Sequence, residues 1–272
     1  MKFLIFSDLD GTFLNHKNYS YDSLKDFVSK IKKNNHIIFN SNKTFFEIKK
    51  INEDLKINFP FIVENGACIF FPKNYLQISK NFFFEYDSYY GYPLVKKNKK
   101  FWFDNLSKIK NKFNFNFFFF RELDNSKLKK ITNIKDNEIN NSKKRLFSEP
   151  IYWNDSKKKL HEFTKQVGGL KGIVNIGGRF IHVTDGYDKG FAFTKFLKLV
   201  KNDNNKFLTI ALGDSQNDLS MLELSDYSCV IKSKKKNLDL KKKNKVYYSK
   251  KSAPDGWRES IEHVLNMEKS YF

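Results

Sequence analysis

Cysteine and long apolar runs are scarce in this sequence. Only Cys68 and Cys229 occur among 272 residues, each inside an apolar stretch, which excludes a disulfide framework and favours buried thiols in a reducing cytoplasm. The first apolar stretch covers residues 3–6, too short for the hydrophobic region of a signal peptide. No run approaches the roughly 20 apolar residues of a membrane span. The sequence therefore predicts a cytoplasmic protein without a membrane segment.

Arginine is also scarce, although the net charge is +20. Basic and aromatic residues are spread along the chain, which argues against a nucleic-acid-binding patch; the lysine-rich run 232–245 is the exception and is typical of a solvated surface segment. The positive field would attract small anionic substrates. Among so many lysines, an arginine indicates either a surface ion pair or a place where a planar fork binds phosphate or carboxylate. The four arginines are Arg121, Arg145, Arg179 and Arg258.

The order of predicted elements indicates two units. Hydrophobic residues make up 40% and charged residues 29% of the chain, as in a globular protein. Strands and helices alternate at both ends of the chain, which predicts an α/β fold with a parallel sheet and right-handed crossovers. From about residue 82 to 186, clustered strands and helices predict an inserted α+β unit. We expect a discontinuous core at 1–81 and 187–272, with 82–186 inserted as a lid.

Two carboxylates follow the first predicted strand in the string "FLIFSDLDGTFL". A buried strand that ends in Asp8 and Asp10 delivers them to the edge where α/β sheets bind ligands. Asp8 is a candidate nucleophile toward a phosphoryl group, and Asp10 a candidate general acid and base. Gly11 would let the backbone approach a phosphate closely. The alternatives are an acidic strand-to-helix loop and a Ca²⁺-type loop, although the further ligands of an EF-hand are missing.

The string "NSNKT" ends the second predicted strand and begins a helix. Ser41 or its neighbouring amides could hold a phosphate at that helix N-terminus, with help from Asn42, Lys43 and Thr44. The alternative is a plain N-cap, because Thr44 and Glu47 have the spacing of a capping box.

Acidic residues follow a later apolar run in the string "ALGDSQND". Asp214 is a candidate direct ligand of Mg²⁺, and Asp218 a second ligand or a supporting residue behind it. Lys189 begins a predicted helix just after the insertion, where its charge would offset that of an aspartyl-phosphate.

These motifs, in this order, resemble those of the haloacid dehalogenase superfamily of phosphatases. The resemblance implies a Rossmann-like core with an inserted α+β cap. It implies Asp8 as nucleophile, Asp10 as acid and base, and Mg²⁺ held by Asp8, the Asp10 carbonyl and Asp214. The matching positions are Asp8, Asp10, Ser41, Lys189, Asp214 and Asp218.

Longer strings resemble the mannosyl-3-phosphoglycerate phosphatase family. They are "SNKT", "PFIVENGACIFFP", "RLFSEPIYW", "GGRFIHVTDGYDKG", "ALGDSQNDLSML" and "SAPDGW". Because a phosphoglycerate carries a carboxylate as well as a phosphate, an arginine in the cap would have a partner. The resemblance implies a glycosyl-glycerate subsite formed by Arg145, Glu149, Gly178, Arg179 and His182. Two of these residues have a simpler alternative: Glu149 could be an exposed acid before a proline, and His182 could be a strand residue at the sheet surface.

Several functions remain open from the sequence. The resemblance favours Mg²⁺-dependent hydrolysis of mannosyl-3-phosphoglycerate, the last step in making a compatible solute. Glucosyl-3-phosphoglycerate, sucrose phosphate and hexose phosphates are alternative substrates, and a phosphotransferase or mutase would share the aspartyl-phosphate step. A nucleic-acid binder with an inactive core is a different class, which the intact acidic motifs argue against. The sequence does not determine the oligomeric state.

Overall fold

A computed structural model describes residues 2–75, 83–176, 179–200, 207–233, 238–241 and 244–268 of the chain. The strands are β1 Lys2–Ser7, β2 His36–Phe39, β3 Phe61–Val63, β4 Cys68–Pro72, β5 Phe84–Tyr86, β6 Tyr89–Pro93, β7 Phe117–Phe119, β8 Ile151–Trp153, β9 Ile173–Ile176, β10 Ile181–Thr184, β11 Phe207–Gly213, β12 Tyr227–Val230 and β13 Val246–Tyr248. The α-helices are α1 Lys25–Ile31, α2 Phe45–Asp54, α3 Lys99–Phe113, α4 Asn125–Thr132, α5 Asp136–Lys143, α6 Lys157–Gly169, α7 Lys189–Val200, α8 Leu219–Leu224 and α9 Asp255–Met267.

A five-stranded parallel sheet forms the centre of the core, in the order β13-β12-β11-β1-β2. Successive residues of β1 point to opposite faces, so Phe3 and Ile5 pack with α1, α2 and α9. Leu4 and Phe6 pack with α7 and α8 on the other face. Because both faces are covered, β1 is a continuous apolar run. The predicted α/β fold with a parallel sheet is confirmed.

A second sheet flanks the core, in the antiparallel order β3-β4-β6-β5. β3 continues beside β2 through a parallel bridge between Asn40 and Ile62. The predicted core boundary at 81 falls just before β5 and β6, although β6 pairs with β4 along its whole length. Tyr89 of β6 is buried in the same cluster as Phe3. We therefore propose that the core extends through β6.

The elements from α3 to β10, hereafter the cap, form the inserted α+β unit. Its sheet has the antiparallel order β7-β8-β10-β9. Phe117 and Phe119 of β7 pack with α3 and α6, whereas Phe118 points to the opposite face and packs with α4 and α5. Helix α5 also lies against α2 of the core. The cap is thus a two-faced sheet with one helical layer resting on the core.

Two chain segments, 94–98 and 185–188, connect the core and the cap. The Asp185 carboxylate accepts hydrogen bonds from the backbone amides of Lys96 at 2.7 Å and Lys97 at 2.5 Å. One side chain therefore holds the two connecting segments side by side.

The described helices include none with the length and apolarity needed to cross a membrane.

Candidate active site

Four loops meet at the carboxyl edge of the parallel sheet. They follow β1, β2 and β11 and include the start of α7, so residues far apart in sequence become neighbours. The Lys189 ammonium lies 2.5 Å from an Asp8 carboxylate oxygen and 2.6 Å from Asp218. All three side chains are buried. The structure thus brings together the three motifs that carry these residues.

Asp8 and Lys189 influence each other's protonation. Burial raises the pKa of Asp8 to about 7, and the neighbouring carboxylates of Asp218 and Asp10 act in the same direction, whereas Lys189 opposes them. The carboxylates outweigh the burial of Lys189 and raise its pKa above the ordinary value. Lys189 is therefore a permanent cation beside a carboxylate that is costly to ionise.

Asp218 supports the loop after β11. One of its oxygens accepts from Lys189, and the other accepts from the amides of Asp214 at 3.1 Å and Ser215 at 3.0 Å. The Ser215 hydroxyl also donates to this second oxygen at 3.1 Å. These bonds orient the Asp214 loop, which favours the supporting role over the direct-ligand role for Asp218.

A divalent cation fits among the acidic residues. Carboxylate oxygens of Asp8, Asp214 and Asp218 lie within 4.8 Å of one another, and such a hard, all-oxygen donor set suits Mg²⁺ or a similar ion. Thr12 donates a 3.3 Å hydrogen bond to Asp214, which helps to fix that carboxylate. The Asp10 carboxylate is not in this group; its side chain instead lies 3.0 Å from the Lys43 ammonium.

Some residues of the loop after β2 line the cavity, and another caps helix α2. Asn42 and Lys43 line the cavity beside Asp8 and Asp10. Thr44 is the N-cap of α2 in a complete capping box with Glu47, and its hydroxyl donates to the Asn141 carbonyl of the cap at 2.9 Å. Ser41 is fully buried, and its hydroxyl lies 3.4 Å from the Lys43 amide. Thr44 therefore has the structural role that the capping-box alternative predicts.

A cavity of about 180 Å³ separates the core loops from the cap. Three cations that the sequence analysis singled out, Lys43, Arg145 and Arg179, share its wall. His182 also lines it and is buried, so it does not lie at an exposed sheet surface. The cap wall further includes Phe120, Thr132, Ile134, Pro150, Asn175 and Phe180.

One of the predicted subsite residues that the structure describes, Glu149, does not line this cavity. The Glu149 carboxylate is buried inside the cap, where it forms an ion pair with Arg121 and lies 3.6 Å from Lys99. Both earlier interpretations of Glu149, as a sugar-binding side chain and as an exposed acid, thus give way to a proposed structural role, because Arg121 engages the carboxylate. Gly178 lies outside the described residues.

Sequence reasoning missed two residues at the junction of core and cap. Tyr19 donates a 2.6 Å hydrogen bond to the Thr132 carbonyl and receives one from Arg179 at 2.9 Å. Glu64 accepts hydrogen bonds from the cap segment 146–148. Their partners are more than 80 residues away, and no local pattern signals such a contact.

Replacing Gly11 with alanine should damage the site. Gly11 has φ +86°, and an added Cβ would lie 2.8 Å from an Asp214 carboxylate oxygen. We expect at least about 1–2 kcal/mol of destabilisation from the left-handed backbone alone, with weaker metal binding because Asp214 must move. Urea unfolding and metal titration measure both effects. Gly168→Ala is the matched control, because no neighbouring atom lies within 4 Å of its added Cβ; equal behaviour of the two variants would contradict the geometry.

His182 should make the fold sensitive to acid. Burial, reinforced by the charges of Arg145 and Lys189, lowers the pKa of His182 to about 3. Since the unfolded chain protonates near pH 6.5, stability from this group is present above that pH and is lost as the pH falls toward 3. From pH 7.5 to 5.5, we expect wild type to lose about 1 kcal/mol more unfolding free energy than His182→Gln. Parallel urea unfolding curves at both pH values check this, and equal losses would contradict it.

The fold and the site together define a class of hydrolytic enzyme, in which a parallel α/β core carries acidic loops and a buried lysine and a cap lies over them. The chain belongs to the haloacid dehalogenase-like hydrolases, whose family model matches residues 5–256, and it is a phosphoric monoester hydrolase. The fold class and family expected from the sequence are thereby confirmed.

Two curated relatives match over nearly their full length. A glucosyl-3-phosphoglycerate/mannosyl-3-phosphoglycerate phosphatase of Persephonella marina is 33% identical over 270 residues, 97% of each chain. A protein of the same name from Methanococcoides burtonii is 28% identical over 97% of this chain and 98% of its own.

Solved structures share the fold at low identity. A Thermoplasma acidophilum protein superposes with a TM-score of 0.67 at 16% identity, over 100% of both chains. A haloacid dehalogenase subclass IIB sugar phosphatase gives a TM-score of 0.61 at 14% identity, over 99% of this chain and 100% of its own. These likenesses extend through core and cap alike.

Proposed function

We propose that this protein is a Mg²⁺-dependent phosphatase that hydrolyses mannosyl-3-phosphoglycerate to mannosylglycerate and phosphate, with glucosyl-3-phosphoglycerate as the alternative substrate. One observation supports this most strongly: Lys43, Arg145 and Arg179 share one cavity with Asp8 and Asp10. A substrate with both a phosphate and a carboxylate matches such a wall, since each anion can meet its own cation. Both relatives carry that substrate class in their names.

The first chemical step is phosphoryl transfer to Asp8. A carboxylate oxygen of Asp8 attacks phosphorus, the bond from phosphorus to the ester oxygen breaks, and Asp10 gives its proton to that oxygen. The sugar-glycerate leaves as an alcohol. Lys189, 2.5 Å from Asp8, keeps positive charge beside the acyl phosphate as it forms.

The second step returns the enzyme to its starting state. Asp10 takes a proton from a water molecule whose oxygen attacks phosphorus, and the bond from phosphorus to Asp8 breaks. Inorganic phosphate leaves and Asp8 regains its carboxylate. Asp10 suits both tasks because it lines the cavity beside Asp8 and lies 3.0 Å from Lys43, which orients it.

The metal would be held at Asp8 and Asp214, with the Asp10 carbonyl as a further ligand and Asp218 behind them. Bound there, Mg²⁺ would supply positive charge that offsets the phosphate dianion. Such a cation would suit the buried carboxylates, because Asp8 and Asp218 share one ammonium, that of Lys189.

The cap side of the cavity suits the glycerate and the sugar. Arg145 and His182 come from the cap, and Asn42 and Lys43 from the core, so a bound substrate would touch both units. A guanidinium has five N–H donors, more than the two hydrogen bonds from Arg145 to Ser148 and Asn42 use. Arg145 can therefore meet a carboxylate without giving up its own support.

A substrate panel tests the proposal. Phosphate release with Mg²⁺ is compared for mannosyl-3-phosphoglycerate, glucosyl-3-phosphoglycerate, sucrose-6-phosphate and mannose-6-phosphate. We expect kcat/KM for the two phosphoglycerate conjugates to exceed the others by about 100-fold or more, because only they carry the carboxylate. Equal values for all four would contradict the substrate but leave the phosphatase assignment intact, and a preference for sucrose-6-phosphate would replace it.

A further inference from the structure

Glu64 places a buried carboxylate at the junction of core and cap. It follows β3, and its side chain has no exposed surface. Its two oxygens accept from the backbone amides of Leu146 at 2.7 Å, Phe147 at 3.3 Å and Ser148 at 2.8 Å. The Ser148 hydroxyl donates a further 2.6 Å hydrogen bond. Three successive amides that converge on one carboxylate form a nest, which is an anion-binding arrangement.

The core side of this junction is hydrogen-bonded to the loop after β2. Glu64 and Asn65 both have left-handed backbones, with φ +51° and +61°. The Glu64 amide donates to the Lys43 carbonyl at 3.0 Å, and the Asn65 amide donates to the Ser41 carbonyl at 2.9 Å. This backbone geometry aims the Glu64 side chain away from its own sheet and into the cap.

The cap side of the junction carries Arg145. Its Nε donates to the Ser148 hydroxyl at 3.1 Å and lies 3.6 Å from a Glu64 carboxylate oxygen. Its Nη2 donates to the Asn42 carbonyl at 2.9 Å. Glu64 therefore determines where the Ser148 hydroxyl points, and Ser148 in turn supports the Arg145 guanidinium.

We infer that Glu64 is a positioning residue. It holds cap segment 145–148 on the core, so that Arg145 stays in the cavity wall, where it faces the carboxylate of the substrate. The substrate half of this inference rests on the proposed function, whereas the structural half does not. A carboxylate is needed because a glutamine would turn an amide N–H₂ toward backbone donors and leave one of them unpaired in the interior. Glu64 touches no reacting atom and acts through Arg145.

The kinetic test compares Glu64→Gln with wild type on two substrates. Mannosyl-3-phosphoglycerate carries the carboxylate that Arg145 would meet, whereas p-nitrophenyl phosphate does not. We expect KM for the conjugate to rise about tenfold, the value of one hydrogen bond to a charged group, with much less change in kcat and in KM for p-nitrophenyl phosphate. The matched control is Glu262→Gln, which removes a partly exposed carboxylate paired with Arg258. An equal rise in KM for both substrates would overturn the inference.

A double-mutant cycle separates positioning from a general structural effect. If Glu64 acts through Arg145, Glu64→Gln should raise KM for the conjugate less than about twofold once Arg145→Ala is present. The full tenfold rise in that background would overturn the inference. Should Glu64→Gln not fold, Ser148→Ala keeps the carboxylate, removes the link to Arg145 and should give the same cycle at smaller size.

Hydrogen exchange tests the structural half without any substrate. In Glu64→Gln, we expect the amides of segment 146–148 to exchange about tenfold faster or more, while β1 exchanges as in wild type. Unchanged exchange in 146–148 would overturn the inference, whatever the kinetics show. If wild type cleaves no phosphoglycerate conjugate but this segment is released in the variant, the proposed function fails while the junction role of Glu64 holds.

Discussion

Asp8→Asn removes turnover: we expect kcat to fall by about 10⁴-fold or more, as for other enzymes that lose their nucleophile. The amide has nearly the shape of the carboxylate but cannot form the acyl phosphate. Because burial raises the pKa of Asp8 to about 7, the ionised side chain is costly in the fold. The variant should therefore unfold at the same or a higher temperature than wild type.

Phosphate release and thermal unfolding, measured on the same preparation, check both parts of this prediction. Asp104→Asn is the control, because it removes a partly exposed carboxylate that pairs with Lys100 on the surface of α3. Activity of Asp8→Asn within about tenfold of wild type would rule out Asp8 as nucleophile.

Lys189→Met should cause the largest loss of stability. The substitution keeps most of the side-chain volume but leaves Asp8 and Asp218 buried without the cation that lies 2.5 and 2.6 Å from them. Removing one partner of a buried ion pair costs about 3–5 kcal/mol. Activity should also fall by about 10³-fold, the effect of losing one strong electrostatic contact to the transition state.

The pH dependence provides an internal check on the Lys189 variant. Asp8 already has a raised pKa in the fold, so its ionised form costs stability above the pKa of the unfolded chain, and that cost disappears as the pH falls. The deficit of Lys189→Met, measured by urea unfolding with a chelator present, should thus be smaller at pH 5 than at pH 7.5. Lys198→Met, which removes an exposed lysine of the same helix, is the control. A deficit that stays constant or grows toward acid would contradict the account.

Elements with strong local signals could be predicted from the sequence. Strand β1 is a continuous apolar run because both of its faces are covered. Helix α2 begins at Phe45, directly after the N-cap Thr44, where the capping box predicts it. Helix α3 spans Lys99–Phe113, the residues that its pattern indicates. In each case, local chemistry and tertiary packing favour the same structure.

Elements that bury few apolar residues could not be predicted from the sequence. Helix α4 buries only Leu128, and α5 buries only Ile139 and Ser142, so each offers too few buried apolar residues for periodicity to indicate a helix. Yet these two helices form the cap layer that faces the core, and α5 contributes Ser142 to the cavity wall. The change of local rhythm places residues 84–93 in the predicted insertion, whereas we propose that they belong with the core, because β6 pairs with β4 of the flanking sheet.

The candidate site residues also differ in how far the sequence could predict them. Asp8, Lys189, Asp214 and Asp218 could be found because each stands beside a strong strand or helix signal, and the fold brings strand ends together. Glu149 could not be assigned, because its burial depends on Arg121, 28 residues away. The role of Glu64 depends on amides more than 80 residues away, and the residues around Glu64 in the sequence indicate only a turn.

The stereochemical course at phosphorus tests the central claim most directly, that Asp8 carries the phosphoryl group between two displacements. A phosphorothioate analogue of the substrate, made chiral at phosphorus with sulfur and two oxygen isotopes, is hydrolysed in water that carries the third oxygen isotope, and the configuration of the released thiophosphate is determined. Two successive in-line displacements, first by Asp8 and then by water, predict overall retention. Inversion would mean that water attacks the substrate directly, and it would contradict the account.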